Sequence, residues 1–301
     1  MPENFNLSFI ISTKNRLPFL KILFDHLLRN LSSDEELVVV DGNSTDGSKE
    51  FLLELFENGT IHQLIIEPDR NQAHGWNKAM LIARGILIKK IIDDDVFCFN
   101  AIRACKDYML RNKGVDVVIS NDLTSALIAP ETLSKNSRLA QFEKWRTGLI
   151  PSFTFSDVHM LIRRSSLSYI GLYHTGYINM DWEYGLRISH LQANISYFTG
   201  YNALNVAHPE TVTSLSNRKV IQEQGDKGRL FYDYPGDGYE ISYWSKIKIF
   251  IGKLIYKIRS SKKVGISVSI IRKDLNEIYD NYYELIDQLN ITEAGKFVKK
   301  G

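Results

Sequence analysis

Residues 36–56 read ELVVVDGNSTDGSKEFLLELF, and the hydrophobic pattern changes twice within them. The apolar run Leu37–Val40 is short and rich in β-branched residues, which is typical of a buried strand. A turn-rich segment, 41–47, follows it, and from Ser48 onward the apolar residues recur at helical spacing. A strand, a turn and a helix in this order predict the repeating unit of an α/β fold.

The same alternation continues on both sides of this unit. It predicts strands at 7–12, 36–40, 64–66, 86–92 and 115–120, and helices at 17–30, 48–56 and 76–83. Strands that alternate with helices in this way form a mainly parallel sheet flanked by helices, and ligands of such sheets gather beyond the carboxyl ends of the strands. Asp41 and the acidic run 93–95 both follow predicted strands, so they are expected at one crevice.

The composition is typical of a globular chain with a small net charge. With 301 residues, 44% of them hydrophobic, the chain can form one large domain or one domain with an appendage. The formal net charge of +2 indicates that the protein does not attract its partners through a strong net charge over its whole surface. Nucleic-acid binding is not expected, because the lysines cluster in one segment without interleaved RNA-binding signatures.

The two cysteines, Cys98 and Cys105, indicate a reducing compartment. On one helix, seven residues separate them by roughly 10 Å, whereas the Cα atoms of a disulfide lie within about 7 Å. Met1–Asn6 carries no basic stretch, and no apolar run reaches the length of about 18 residues that a membrane span needs. We therefore expect a cytoplasmic protein.

From Arg218 the character of the sequence changes, so we expect a boundary between a domain at 1–217 and a linker with a helical tail at 218–301. Residues 225–239 are rich in Gly, Asp and Tyr and are typical of a loop. Residues 243–263 predict a basic amphipathic helix. Two interpretations remain open, a helix that binds an anionic membrane surface and a helix packed on the domain with solvated lysines.

The run Asp93-Asp94-Asp95 is the first candidate site. Two carboxylates at i and i+2 in the turn after a strand can hold one divalent cation that bridges a diphosphate. The alternative is a solvated turn, or an N-cap for a helix beginning near Val96.

Residues 40–48 and 179–187 are the second and third candidate sites. Asp41 ends a buried strand before a loop rich in backbone amides, which suits recognition of a polar heterocycle, although a tight turn capped by Asp46 or Ser48 explains the same residues. Asp181 opens a predicted helix. It is either an acid favoured by the helix dipole or a general base at the cleft.

The order of these segments resembles family 2 glycosyltransferases of the GT-A fold over about residues 6–215. The segments that carry the resemblance are 10–16, 40–48, 67–73, 77–79, 93–95, 162–167, 171–173 and 180–187. Two residues depart from the family pattern: Lys14 stands where an aromatic residue is usual, and Gly185 stands where a bulky residue is usual. The resemblance implies a nucleotide-binding half at 1–97 and an acceptor half at 98–217.

The resemblance also implies roles for individual residues. Thr13 and Asp41 would hold the nucleotide base, and Lys78 would lie near the diphosphate. Asp93, Asp94 and Asp95 would bind the donor, with Asp95 as a ligand of Mg²⁺ or Mn²⁺, and the metal pair is open between Asp93 with Asp95 and Asp94 with Asp95. Asp181 would be the catalytic base. His208 would lie near the leaving diphosphate and its metal.

The implied activity is inverting transfer of a sugar from a nucleotide-sugar, a UDP-sugar being expected. The acceptor would be a saccharide or a polyprenyl-linked saccharide in surface polysaccharide biosynthesis, reached at the inner face of the cell membrane. Two alternatives are a nucleotidylyltransferase acting on sugar phosphates and a saccharide-binding module without activity. A nucleotidylyltransferase generally has a Gly-rich loop after its first strand, whereas this chain has Ser12–Arg16 there.

Overall fold

The computed structural model describes residues 5–208, 217–236 and 275–300. The predicted basic helix at 243–263 lies outside these residues. Cys98 and Cys105 are both buried and free.

The first half of the chain alternates strands and helices as its hydrophobic pattern predicts. Its elements are β1 (Leu7–Thr13), α1 (Leu17–Asn30), β2 (Glu35–Asp41), α2 (Ser48–Glu57), β3 (Gln63–Ile66), α3 (Gln72–Ile82) and β4 (Leu87–Ile91). Helix α3 begins four residues before the predicted bound, because the side chain of Asn71 accepts a hydrogen bond from the His74 amide at 3.0 Å and caps the helix there.

The second half adds shorter elements, and one alternative from the sequence is wrong. Its elements are β5 (Val96–Phe97), α4 (Phe99–Arg111), β6 (Val117–Ser120), β7 (Asp122–Ala126), β8 (Ala129–Asn136), α5 (Leu139–Arg146), β9 (Met160–Arg163), α6 (Leu167–Ile170), α7 (Met180–His190), β10 (Ile195–Phe198) and β11 (Ala203–Ala207). The acidic run does not cap a helix near Val96, because β5 intervenes and Cys98 caps α4.

The large sheet has the order β12-β10-β6-β9-β4-β1-β2-β3, with β12 formed by Phe297–Val298. Strand β1 pairs in parallel with both β2 and β4, and Thr13 lies opposite Asp41 in the register of β1 and β2. The mainly parallel sheet is thus confirmed, with β9 inserted antiparallel between β4 and β6. The carboxyl ends of β1 and β4 therefore meet at one edge, where the acidic run leaves β4.

A smaller sheet, which the sequence pattern did not predict, has the order β5-β11-β7-β8. Strand β11 pairs antiparallel with β5 and parallel with β7. This pairing brings Asn205 and Val206 to the acidic run from more than a hundred residues away.

The C-terminal elements are α8 (Arg218–Phe231), α9 (Leu275–Thr292) and β12. The expectation of a loop from residue 225 needs correction, because residues 225–231 are helical. Helix α9 buries Leu275, Tyr279, Tyr282 and Ile286 in the main core, and β12 extends the large sheet by pairing with β10.

The predicted boundary at 217/218 therefore separates residues that share one core. The spacing of the buried residues of α9 matches a single helix face. Among the described helices, none has the length and apolar character that a membrane crossing requires.

Candidate functional site

A cavity of about 610 Å³ opens where β1 and β4 end. Its walls also include the segment before α3, residues 156–158, the first turn of α7 and part of β11. The expected site residues that line it are Thr13, Asp93, Asp94, Asp95 and Asp181. Asp41, Lys78 and His208 lie outside this lining, each beside a residue that belongs to it.

The side chain of Asp94 is engaged by two basic residues. His208 Nε2 lies 2.6 Å from Asp94 Oδ2, and Arg16 Nη1 lies 3.4 Å from the same oxygen. The ring of His208 stacks on Phe19 with centroids 5.5 Å apart. His208 therefore contacts the acidic run through Asp94, and Arg16 is a cationic wall residue that the sequence analysis did not single out.

Asp93 and Asp95 flank Asp94 and have neutral hydrogen-bond donors as partners. Thr13 Oγ1 donates to Asp93 Oδ2 at 2.6 Å. The Val206 amide donates to Asp95 Oδ1 at 2.8 Å, and Asn205 Nδ2 donates to the same oxygen at 3.1 Å. These two carboxylates, unlike that of Asp94, carry no protein cation within ion-pair distance among the described residues.

Burial, and after it the neighbouring Asp94 carboxylate, together raise the pKa of Asp93 to about 7. The same two causes, burial first, raise the pKa of Asp95 well above its usual range. Crowded, poorly solvated carboxylates favour their neutral form unless positive charge approaches them. A divalent cation supplies that charge, so this pair suits a cation electrostatically.

No group of three or more His, Cys, Asp or Glu side chains is arranged to hold a metal within the part of the chain that the structure describes. A Mg²⁺ ion shared with a diphosphate needs only one or two protein carboxylates, since phosphate oxygens and water complete its coordination. Asp93 and Asp95 fit that smaller requirement.

Asp181 lies in the first turn of α7 and lines the same cavity. Burial raises the pKa of its carboxyl, and the carboxylate of Asp157 adds to the rise, while Lys90 opposes it. A carboxylate whose pKa is raised toward neutrality accepts protons more readily at neutral pH. The geometry therefore places a potential base in the cavity that holds the acidic run.

A buried ion pair that the sequence motifs did not indicate also lines the cavity. Lys90 Nζ donates to Asp157 Oδ2 at 2.7 Å, and the Tyr173 hydroxyl donates to the same oxygen at 2.6 Å. Lys90 also lies 4.5 Å from the ring of Trp76. Two adjacent lysines, Lys89 and Lys90, inside a short strand with apolar residues on both sides were the available signal, because a buried ammonium needs a partner.

Asp41 is fully buried and directs its carboxylate to its own loop. It accepts a hydrogen bond from the Ser44 amide at 2.8 Å and another from the Ser44 hydroxyl. This geometry supports the turn interpretation of residues 41–47. Gly47 occupies the N-cap of α2 with φ 95°, and Asp46, one residue before it, accepts a hydrogen bond from the Ser48 amide at 3.0 Å, so the Asp46 side chain satisfies the first amide of α2.

The other carboxylate oxygen of Asp46 accepts a hydrogen bond from the Leu17 amide at 3.0 Å and so satisfies one amide in the first turn of α1. Lys78 pairs with Asp69 at 2.7 Å and with Glu67 at 2.8 Å. Asp69 lines the cavity, so Lys78 contacts a residue of the cavity wall without lining the cavity itself.

The unusual glycine of α7 has a steric cause. A Cβ at Gly185 would lie 2.9 Å from the carbonyl oxygen of Phe155 and 3.0 Å from its amide nitrogen. Only glycine permits this approach of α7 to the segment that leads into residues 156–158, and both segments carry cavity residues.

The chain is similar to known proteins in its sequence profile and in its fold. The sequence profile of the family described as "Glycosyl transferase family 2" matches residues 8–171. No curated protein matches the chain.

Among solved structures, S. aureus TarS is 17% identical with a TM-score of 0.50, over 68% of this chain and 37% of that chain. A structure of TarS 1–349 in complex with UDP-GlcNAc is 12% identical with a TM-score of 0.54, over 96% and 92% of the two chains. The mannosyltransferase PcManGT from Pyrobaculum calidifontis, in complex with GDP-Man and Mn²⁺, is 18% identical with a TM-score of 0.51, over 72% and 59%.

This chain thus spans less than two thirds of the TarS chain matched first and of the PcManGT chain. At these identities the likeness is one of fold, and it confirms the GT-A architecture. The matched segment 8–171 contains all but the first residue of β1, the acidic run and Asp157, and it covers more than half of the 301 residues. The chain therefore belongs to glycosyl transferase family 2.

Proposed function

We propose that this glycosyltransferase transfers a sugar from a nucleotide-sugar with inversion of the anomeric centre, in a metal-dependent reaction. The observation that carries the proposal is that Asp93, Asp95 and Asp181 line one cavity, although 86 residues separate Asp95 from Asp181. A transferase of this kind needs positive charge at the leaving group and a base at the acceptor, and this cavity offers carboxylates for both tasks.

Asp95 and Asp93 would hold Mg²⁺ or Mn²⁺, and the contacts of Asp94 support this pair over Asp94 with Asp95, since Asp94 already faces Arg16 and His208. The metal supplies Lewis-acid stabilisation of the charge that develops on the leaving diphosphate. Arg16 is placed to add positive charge on the same side. Structural neighbours in complex with UDP-GlcNAc and with GDP-Man and Mn²⁺ support a nucleotide-sugar donor, for which we propose a UDP-sugar.

Asp181 would take the proton from the acceptor hydroxyl while that oxygen attacks the anomeric carbon from the face opposite the diphosphate. A single displacement inverts the stereochemistry and needs no covalent glycosyl-enzyme. Beside Asp181, Lys90 and Asp157 form an ion pair in this wall. Tyr173 donates a hydrogen bond to the Asp157 carboxylate, and the ring of Trp76 contacts the Lys90 ammonium.

The remaining site residues have smaller proposed roles. Thr13 lines the cavity and holds Asp93, so it can contact the nucleotide base or orient the carboxylate. Asp41, which is bound to Ser44, would act on the base through the loop 42–47 rather than by direct contact. Lys78 would hold Asp69 in the wall near the diphosphate, and His208 would act near the diphosphate through Asp94.

A screen of nucleotide-sugars for thermal stabilisation, with and without Mn²⁺, tests the proposal. A donor present at a hundred times its dissociation constant stabilises the fold by about 2.7 kcal/mol, which raises the melting temperature by several degrees. We expect a UDP-sugar to do this only in Mn²⁺. The stabilising donor should then release nucleoside diphosphate, whereas release of pyrophosphate would identify a nucleotidylyltransferase, and binding without turnover would identify a saccharide-binding module.

For the acceptor we propose a saccharide or polyprenyl-linked saccharide of a surface polysaccharide, reached through peripheral binding of residues 243–263 to the inner face of the cell membrane. The sequence supports this role by its lysines, and each lysine near an anionic bilayer contributes about 1 kcal/mol. Truncation near residue 239 is unsuitable as a test, because it would remove α9 and β12 from the core.

Replacement of Lys246, Lys248, Lys253 and Lys257 by Gln is expected to lower binding to phosphatidylserine vesicles by roughly two orders of magnitude or more. Cosedimentation measures the effect. The matched control replaces four exposed lysines elsewhere, Lys21, Lys113, Lys144 and Lys227, and should bind as the unchanged chain does. Equal pelleting of both variants would exclude the anchor.

A further inference from the structure

Helix α9 reaches the acidic run through one hydrogen bond. The hydroxyl of Tyr279 donates to the backbone carbonyl oxygen of Asp94 at 2.6 Å, and both groups are buried. Tyr279 lies more than a hundred residues beyond the segment matched by the family profile, which ends at residue 171. The contact therefore belongs to the C-terminal part of this chain.

Three contacts converge on Asp94. Its carboxylate faces Arg16 and His208, and its carbonyl accepts from Tyr279. The ring of Phe19 links these partners, since it stacks on His208 and lies 6.1 Å from the ring of Tyr279. Residues from the N-cap of α1, from the position after β11 and from α9 thus contact Asp94 on its side chain and on its backbone.

The two flanking residues are those proposed above to hold the donor's cation. The peptide units on either side of Asp94 set the directions in which the side chains of Asp93 and Asp95 leave the backbone, and each of those side chains faces the cavity. A shift of the Asp94 carbonyl would therefore turn both carboxylates. Metal sites are sensitive to such shifts, because groups that orient the ligands affect affinity strongly.

We propose that Tyr279 is a positioning residue that fixes the direction of the Asp93 and Asp95 carboxylates, so that α9 completes the donor site. The inference rests on the proposed function for its cation and diphosphate. Burial, followed by the negative charge of Asp94, raises the pKa of Tyr279 well above its usual range, so the hydroxyl stays protonated and remains a donor.

The helix offers a matched control in Tyr282. It is as buried as Tyr279, at 2% against 1% exposure, and packs in the same core. Its hydroxyl bonds to Ser125 Oγ at 2.9 Å and to the Ala126 carbonyl, away from the acidic run. Tyr279→Phe and Tyr282→Phe each remove one buried hydroxyl from the same helix, so general effects on packing should be alike.

The experiment measures the dissociation constants of UDP and GDP in the presence of Mn²⁺ by calorimetry, together with hydrogen exchange of peptides covering residues 92–98. Loss of one buried hydrogen bond typically changes an equilibrium by a factor of about 2 to 12. We expect Tyr279→Phe to weaken Mn²⁺-dependent binding by roughly fivefold and to speed exchange at 94–98. Tyr282→Phe should match the unchanged chain in both, and the melting temperatures of the two variants should be similar.

Equal affinity and equal exchange in Tyr279→Phe and the unchanged chain would overturn the role of Tyr279 and leave the donor site intact. Equal weakening of nucleotide binding in both variants would show that Tyr279 contributes only core packing, and would also overturn its positioning role. If the unchanged chain bound neither nucleotide in Mn²⁺, the proposed donor site would fail first, and this role for Tyr279 would fall with it.

Discussion

Asp181→Asn is expected to lower the rate of sugar transfer by about two to four orders of magnitude, the range that general base catalysis contributes. Asparagine keeps the size of the side chain but cannot accept the proton of the acceptor hydroxyl. Binding of the nucleotide and Mn²⁺ should change little, since Asp181 lies on α7 and not in the acidic run. Single-turnover transfer and calorimetric binding of UDP measure the two quantities separately.

The pH dependence of sugar transfer is a second test of Asp181 as the base. Burial and the Asp157 carboxylate raise the pKa of Asp181, so the protonated, inactive form persists to higher pH than for an exposed aspartate. Activity should therefore fall as the pH falls through that raised value, and the acid limb should disappear in Asp181→Asn.

Glu183→Gln is the matched control for Asp181→Asn, because Glu183 lies in the same first turn but pairs with Arg187 at 2.7 Å and does not line the cavity. It should lower the melting temperature and keep the transfer rate of the folded protein. Near-normal turnover in Asp181→Asn would show that the base is a different residue.

Asp95→Ala is expected to weaken Mn²⁺-dependent nucleotide binding by more than the roughly 10- to 100-fold that loss of a group supporting a metal ligand costs. The reason is that Asp95 supplies one of only two carboxylates proposed to hold the ion. Binding measured without the metal should hardly change. Titration of UDP with and without Mn²⁺ tests the difference.

Alanine at this position also removes the acceptor for the Val206 amide, and a buried amide without a partner costs about 1–3 kcal/mol. Asp95→Asn separates the two effects, since its side-chain carbonyl still accepts from Val206. Asparagine should therefore restore stability but not metal-dependent binding. If Asp95→Asn bound UDP and Mn²⁺ as the unchanged chain does, the carboxylate of Asp95 would not be a metal ligand.

Residue patterns predicted the elements of the first half well, because each depends on neighbours along the chain. The helix Leu17–Asn30 has the predicted bounds, and the strands before the acidic run lie within a few residues of theirs. Asp41 shows where local reasoning became ambiguous. The same residues suit a turn and a binding loop, and only the contact with Ser44 distinguishes them.

Other contacts of the site had no signature in neighbouring residues. The place of Lys90 in a strand indicates that it is buried, but its partner Asp157, 67 residues away, comes beside it only when β9 inserts next to β4. The same holds for Asn205 and Val206. Their position depends on the smaller sheet, whose short strands lack a hydrophobic pattern that predicts them. The sequence assigned α9 to a helical tail without indicating its contacts, because a helical period reports which face is apolar and not which residues cover that face.

By itself, then, the sequence determined the α/β class, the family and the acids worth testing, since hydrophobic period and motif order are properties of neighbouring residues. The tertiary structure alone decided that Asp94 is held by Arg16, His208 and Tyr279, and that Lys90 neutralises Asp157 beside Asp181. Those contacts join residues from distant parts of the chain, and their energies exist only after folding has brought the groups together and excluded water around them.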